Sequence, residues 1–315
     1  MGDHGPGQGC GRGAGRAVVV GAGVGGLATA LGLRRAGWSV DVLERRHTPE
    51  RYGTAFGIHP TAQAALDRLG LGDALRARAV PYRGGQIRRP DGAVLASLPL
   101  ERIERKAGRP ELLVSRPYLI DALLAALDRL GGTRIGYGRR LGGRHELDSL
   151  DADLVVGADG INSAVRTVRF AAASAPRPVG TVAWIGIAGF ETGVYGETWG
   201  AGRFFGMTPI EPGRTNWYAT APEATTAEEL RAAFHGHAMT PNLGQGACTA
   251  LLDAEALSRA VAAHGRSALP SALRAYDRER RRSAQRVAFG SRTLHRFATT
   301  RRPALRDALL GLLPG

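Results

Sequence analysis

Ala17-Val18-Val19-Val20-Gly21-Ala22-Gly23-Val24-Gly25-Gly26, continued by a helical pattern to Arg35 and by Val40–Glu44 (VDVLE), decides the fold. Ala17 to Gly21 is a short continuous apolar run, the pattern of a strand buried on both faces. From Val24 to Arg35, Leu27, Leu31 and Leu33 follow a helical period, and Gly37 ends it. Strand, helix and strand in so short a span form a βαβ unit with a right-handed crossover. Gly21 permits the tight turn off the strand, Gly23 lets a pyrophosphate approach the backbone, and Gly26 permits close helix–strand packing. Phosphates would meet free N–H groups at the positive end of the helix. Glu44 closes the second strand, where a carboxylate accepts ribose hydroxyls and repels a 2′-phosphate. G-x-G-x-x-G alone arises by chance in a chain with 45 glycines. The flanking strand, helix and terminal acid make it a dinucleotide site.

The remaining composition narrows the class. The chain has 315 residues, room for about two domains, and its 43% hydrophobic content supplies a core. Basic residues number 42 against 28 acidic ones, a net +14, with Lys106 the single lysine. Cys10 and Cys248 cannot build a disulfide framework, and no Cys/His cluster has metal-ligand spacing. No apolar run approaches the roughly 18 residues of a membrane span. Residues 1–16 hold seven glycines and no secretory apolar region, so a flexible tail and a cytoplasmic protein are expected.

Further along, Pro60–Arg78 reads as two short helices split by Gly70 and Gly72. Gln86–Leu98 reads as a hairpin about Asp91-Gly92. Arg116–Leu130 is the clearest amphipathic helix, and Leu154–Gly157 is a third buried strand. Thr181–Thr220 alternates, is rich in Trp, Phe and Tyr, and is punctuated by Gly and Pro, as expected of an antiparallel sheet. From Ala224 the pattern is helical again, apart from His237–Gly246.

Two further motifs bear on which dinucleotide is bound. Asp153-Leu154-Val155-Val156-Gly157-Ala158-Asp159-Gly160, running on to Arg166, resembles the DG motif of the single-component FAD-dependent monooxygenases, the flavoprotein aromatic hydroxylases. His237-Ala238-Met239-Thr240-Pro241-Asn242-Leu243-Gly244-Gln245-Gly246 resembles that family's flavin-ring stretch. Arg116 at a helix start and Gly196-Glu197-Thr198-Trp199-Gly200 match in order. The resemblance implies an α/β fold: a Rossmann-type FAD-binding domain (17–82, 107–170 and 233–315) and a discontinuous, mostly antiparallel substrate-binding sheet (83–106 and 171–232). It implies that Gly21, Gly23 and Gly26 hold the FAD pyrophosphate and Glu44 the adenosine ribose. Arg45 would lie beside the adenosine, Arg116 near the ribityl–phosphate chain, and Asp159 on the cofactor cleft. Pro241, Gly244, Gln245 and Gly246 would line the flavin ring, at the positive end of a helix over Ala247–Ala263. The implied activity is hydroxylation of a small aromatic or polycyclic substrate with NAD(P)H and O₂, through a flavin C4a-hydroperoxide. Trp184, Phe190, Trp199, Phe204 and Phe205 are candidates to line the substrate site.

The chain departs from the family's pattern in three places. The Gly-Asp pair that binds the ribityl hydroxyls is Ala233-Phe234 here, and Thr226–Phe234 reads as helix where a strand beside the first one is usual. Between Ile135 and Leu154 only a short Gly- and Arg-rich link is expected. Leu252-Asp253 replaces an acidic pair. Losing the ribityl aspartate removes a charge-assisted hydrogen bond, about 10- to 100-fold in affinity, so a weakly binding relative without turnover is the alternative. His237 reads as structural, His235 and His237 lack a third metal ligand, and Cys248 reads as packing. The last 45 residues hold eleven arginines against three acids. With Asp277 and Glu279 interleaved, that pattern reads as a solvated helix face. No nucleic-acid or membrane partner is expected.

Overall fold

The computed structural model describes residues 15–51, 53–170, 175–176, 178–226, 228–229 and 245–311. Four parallel strands, β1 (Arg16–Val20), β2 (Ser39–Glu44), β8 (Thr133–Tyr137) and β9 (Leu154–Gly157), lie in the order β8-β2-β1-β9. β1 pairs with β2 on one side and β9 on the other, which is why Ala17–Val20 are all buried. The strand missing from the sequence pattern therefore cannot stand beside β1. Among the described residues the sheet instead ends at β9. Nor is the stretch from Ile135 to Leu154 only a link: β8 pairs in register with β2, and α6 (Arg144–Asp148) follows.

Helix α1 (Val24–Arg35) packs between α5 (Arg116–Leu130) and α8 (Gln245–His264), with Leu27, Leu31, Leu33, Leu123, Leu251 and Val261 in the main core. Ser115 caps α5, its Oγ accepting from Tyr118 N–H at 3.3 Å, and Pro117 suits the first turn. A three-stranded sheet adds β3 (Ala55–Ile58), β4 (Val80–Tyr82) and β7 (Glu111–Ser115) in the order β3-β7-β4. One face of it, with Phe56, Ile58, Leu112 and Val114, joins the main core together with α2 (Pro60–Arg68) and α3 (Gly72–Arg76). The other carries Tyr82 and Leu113 into a small cluster beneath α4 (Leu100–Ala107).

The third sheet is discontinuous in sequence. Strands β5 (Gln86–Arg88) and β6 (Val94–Ser97) join β10 (Thr181–Ala188), β11 (Gly196–Trp199), β12 (Phe204–Glu211) and β13 (Arg214–Pro222) in the order β10-β13-β12-β11-β5-β6. All neighbours are antiparallel except β11 and β5. α7 (Ala164–Phe170) follows β9. The long α9 (Leu269–Ala298) places Ala272 in the main core and Ala298 in the core of the six-stranded sheet, so one helix ties the two together. α10 (Pro303–Gly311) follows it. Arg306 on α10 is fully buried and donates to the carbonyls of Trp199, Gly200 and Ala298, at 2.9–3.0 Å, while pairing with Asp307. No described helix is long and apolar enough to cross a membrane.

Candidate functional site

The turn between β1 and α1 is held open by a division of labour among its glycines. Gly21 has a φ of +108°, and a Cβ there would lie 2.3 Å from the Ala158 carbonyl oxygen. A Cβ on Gly26 would lie 1.8 Å from Gly21 O. Both positions exclude any side chain because backbone packs against backbone. Gly23, at the N-cap of α1, has ordinary extended backbone and nothing within 4 Å of its Cβ position. Space therefore lies over the free N–H groups that begin α1, where an anion is best stabilised.

That space opens into a cavity of about 880 Å³, within the range of small-molecule sites. Gly21, Gly23, Glu44, Arg45, Arg116 and Asp159 line it together; Gly26 does not. Glu44 is buried, its Oε2 accepting from Ala22 N–H and its Oε1 from Arg46 N–H, each at 2.8 Å. The carboxylate thus ties the end of β2 to the glycine turn and keeps further lone pairs for other donors. Asp159 Oδ2 accepts from the N–H groups of Ala164 and Val165 at the start of α7, at 2.7 and 3.2 Å. Its Oδ1 is buried with no partner among the described residues. Arg116 pairs through Nη2 with Glu50 at 3.1 Å, while its Nε is buried and unpartnered. An unpaired acceptor and an unpaired donor in the walls of one cleft fit a ligand bearing both hydroxyls and phosphate oxygens. The residues present fit FAD.

The opposite end of the cavity is the first turns of α8, where Ala247, Ala250 and Asp253 line it. Gln245 and Gly246 open α8; Pro241 and Gly244, like His235, His237 and Ala233-Phe234, lie outside the described residues. Asp253 is engaged by Arg280 at 2.7 Å. Cys248 is a packing residue: its Sγ–H donates to Gly57 O at 3.0 Å, and burial pushes the thiol up to about 11.

Arg139 and Arg140, just past β8, line the same cavity and had no reading in the sequence. Gly138 and Arg139 donate backbone N–H groups to Arg46 O and Glu44 O, each at 2.8 Å, which pins this loop against the end of β2. The only signal available was position: two arginines directly after a strand that Gly136 and Gly138 disguised. With Arg45, Arg46 and Arg116 they set five guanidinium groups around the cleft, the charge a diphosphate calls for.

The aromatic candidates divide differently from expectation. Trp199 and Phe204 are buried against Phe297, Ala298 and Leu310 of the C-terminal helices, so they are core. Phe190 is exposed. Phe205 stacks on Trp217 at 5.6 Å and, with Trp184, belongs to the opposite face of the sheet from Phe204, since neighbours along a strand alternate. None of the five lines the cleft.

Comparison with known proteins agrees with this architecture. The family model described as FAD binding domain matches residues 16–229 and 232–291, breaking where the sequence pattern lacks a segment. The aurachin C monooxygenase/isomerase of Stigmatella aurantiaca is 30% identical over 342 residues, covering 87% of each chain. That alignment is longer than the present chain, so the relative carries segments absent here. A 2-heptyl-3-hydroxy-4(1H)-quinolone synthase of Pseudomonas aeruginosa is 30% identical, over 77% of this chain and 79% of its own. In fold, the chain is similar to Klebsiella pneumoniae HpxO complexed with FAD and uric acid, with a TM-score of 0.77 at 22% identity over 94% and 91% of the two chains. With the fingerprint turn, the DG strand and the discontinuous sheet all in place, the chain belongs to the FAD-binding monooxygenase family.

Proposed function

We propose that this chain is an FAD-dependent, NAD(P)H-consuming monooxygenase that hydroxylates a small aromatic or polycyclic metabolite. The observation that carries the reading is one continuous cleft from the open space over Gly23 to the first turns of α8, with Asp159 Oδ1 and Arg116 Nε unpaired in its walls. In this reading the turn at Gly21 and Gly23 offers backbone N–H groups to the pyrophosphate, and Gly26 acts only by letting the turn pack. Glu44 accepts adenosine ribose hydroxyls while Ala22 and Arg46 hold its orientation. Arg45, Arg139 and Arg140 neutralise the adenosine diphosphate end. Arg116 and Asp159 engage the ribityl–phosphate chain. Pro241, Gly244, Gln245 and Gly246 hold the flavin ring at the positive end of α8, which favours the negative charge of the reduced ring. Bound FAD would supply electron transfer from NAD(P)H to O₂ and delivery of one oxygen atom. The chain's own task is to exclude water and orient the substrate beneath the six-stranded sheet. The quinolone named for the Pseudomonas relative and the uric acid in the Klebsiella complex support an aromatic or heteroaromatic substrate.

The test is a titration of purified protein with FAD, followed by NADH or NADPH and a panel of aromatic compounds. A protein-bound flavin spectrum and a product heavier by one oxygen atom are expected. No flavin absorbance after incubation with excess FAD overturns the reading. A second reading, a relative that holds nucleotide without turnover, rests on the break in the family match between residues 229 and 232. Hydroxylated product excludes it.

A further inference from the structure

Beside the cofactor cleft two sheets face one another. From the small sheet, Gly57, Tyr82, Glu111 and Leu113 share the face turned away from the main core, as their pairing register requires. Opposite stands a cross-strand row of the large sheet: Glu197 on β11 is paired with Gly206 on β12, and Gly206 with Tyr218 on β13. A carboxyl and a phenol thus flank a position with no side chain, which leaves a gap between them. Asn216, two residues from Tyr218 and on the same face, accepts from Ala55 N–H of β3 at 3.2 Å. Phe56, next along β3, points to the other side of the small sheet, where it lines the cofactor cleft, so β3 stands between the cleft and this row.

Glu197 and Tyr218 each keep some accessible surface, and with no side chain at Gly206 the space between them is a recess whose walls they form. Glu197 Oε2 accepts from Trp199 Nε1–H at 2.7 Å; its Oε1 has no partner among the described residues. Burial pushes the Glu197 carboxyl up to about 7, against the lowering effect of the Trp199 hydrogen bond. Around it stand Tyr218 on its own sheet and Tyr82 from β4, both phenols held protonated by burial and by the charge of Glu197. Glu111 of β7, hydrogen-bonded to His59, and Arg88 of β5 complete the charged groups near Tyr82. No part of the cofactor scheme uses this group of residues.

We propose that Glu197 is the residue that recognises the substrate, its free Oε1 accepting a hydrogen bond from a ring N–H or phenolic O–H, with Tyr218 and Tyr82 orienting the remaining polar substituents. The inference rests on the monooxygenase reading and narrows its substrate class to aromatic compounds bearing such a donor. A carboxyl that ionises near neutrality makes recognition pH-dependent. The carboxylate is the stronger acceptor, so affinity rises as pH passes through about 7 and levels off above it.

The test uses FAD-loaded protein and two probes, 4-hydroxyquinoline and its O-methyl ether 4-methoxyquinoline, titrated calorimetrically on either side of neutrality. The wild type is expected to prefer the hydroxy compound by about tenfold or more at alkaline pH, and by much less at acid pH. Glu197→Gln keeps an oxygen for the Trp199 indole but cannot ionise. It is expected to lose both the preference and the pH dependence while FAD remains bound. An unchanged preference and pH profile in Glu197→Gln, or no binding of 4-hydroxyquinoline by FAD-loaded wild type, overturns the assignment. If Glu197→Gln fails to hold FAD, Tyr218→Phe replaces it: a weakened preference supports the recess, and an unaltered one overturns it. Failure to load FAD at all refutes the monooxygenase reading instead, so the two failures are distinguishable.

Discussion

At the scale of single residues, the glycine turn separates a binding role from a folding role. A side chain on Gly23 enters open space and meets only what binds there, whereas one on Gly26 collides with Gly21 O. Gly23→Val is therefore expected to lower FAD affinity about tenfold or more, the scale of one lost charge-assisted hydrogen bond, while the apoprotein loses no more than about 1 kcal/mol through a poorer N-cap. Gly26→Ala is expected to cost about 1–3 kcal/mol of stability through overpacking. Flavin titration and urea unfolding of both variants check the contrast. The His59–Glu111 pair gives a pH signature. The hydrogen bond that His59 donates to the Glu111 carboxylate raises the imidazole above its usual range, with burial opposing it. A group whose pKa rises on folding contributes stability that is complete below its unfolded value, about 6.5, and fades as pH climbs through the folded value. The Tm advantage of wild type over Glu111→Gln should thus be largest below that value and shrink toward alkaline pH. An advantage that grows with pH refutes the pairing. The placement of Glu44 and Asp159 was legible because Glu44 ends a strand and Asp159 follows one by two residues, each in a fixed motif. Glu197 carries no signal of its own in the sequence, since the gap beside it depends on a cross-strand neighbour, Gly206, nine residues away.

Among elements, legibility followed length and period. Val24–Arg35, Arg116–Leu130 and Leu154–Gly157 have the bounds their patterns indicate, because helical spacing or a continuous apolar run leaves little choice. The three-stranded sheet was invisible: β3, β4 and β7 are three to five residues long, and β7 is buried along most of its length, so no alternation marks it. The aromatic strands were recognised as a sheet, but which face each ring takes is settled by what packs on it. Here α9 and α10 claim Trp199 and Phe204. The hold of α10 on the sheet depends on Arg306, which serves three backbone carbonyls and Asp307 at once. Arg306→Met keeps the bulk and removes every one of those donors, leaving the carbonyls and the Asp307 carboxylate without their partner. A loss of about 3 kcal/mol or more is expected, read as a lower denaturant midpoint. A midpoint equal to wild type means that α10 is held by apolar contact alone.

For the whole molecule, the cleft is a joint between parts distant in sequence: the β1–α1 turn, the loop after β8, the DG strand and α8. A ligand filling that joint binds the folded state and not the unfolded chain, so it must raise stability by mass action. At free FAD a hundredfold above Kd the gain is about 2.7 kcal/mol, several degrees in Tm for a chain of this size. The parallel sheet ends at β9 among the described residues, and in the proposed reading Ala233-Phe234 replaces the family's ribityl-binding pair. The concentration of FAD needed to produce the shift therefore measures what that replacement costs. Gly23→Val, at tenfold weaker binding, should cut the gain at the same FAD concentration to about 1.4 kcal/mol or less, with little change in the apoprotein Tm. Arg306→Met should lower the apoprotein Tm and retain the full shift, because α10 has no residue in the cleft. A thermal shift cut in both variants would mean that the cleft forms only when the C-terminal helices are docked, making cofactor binding a property of the assembled sheets rather than of the glycine turn.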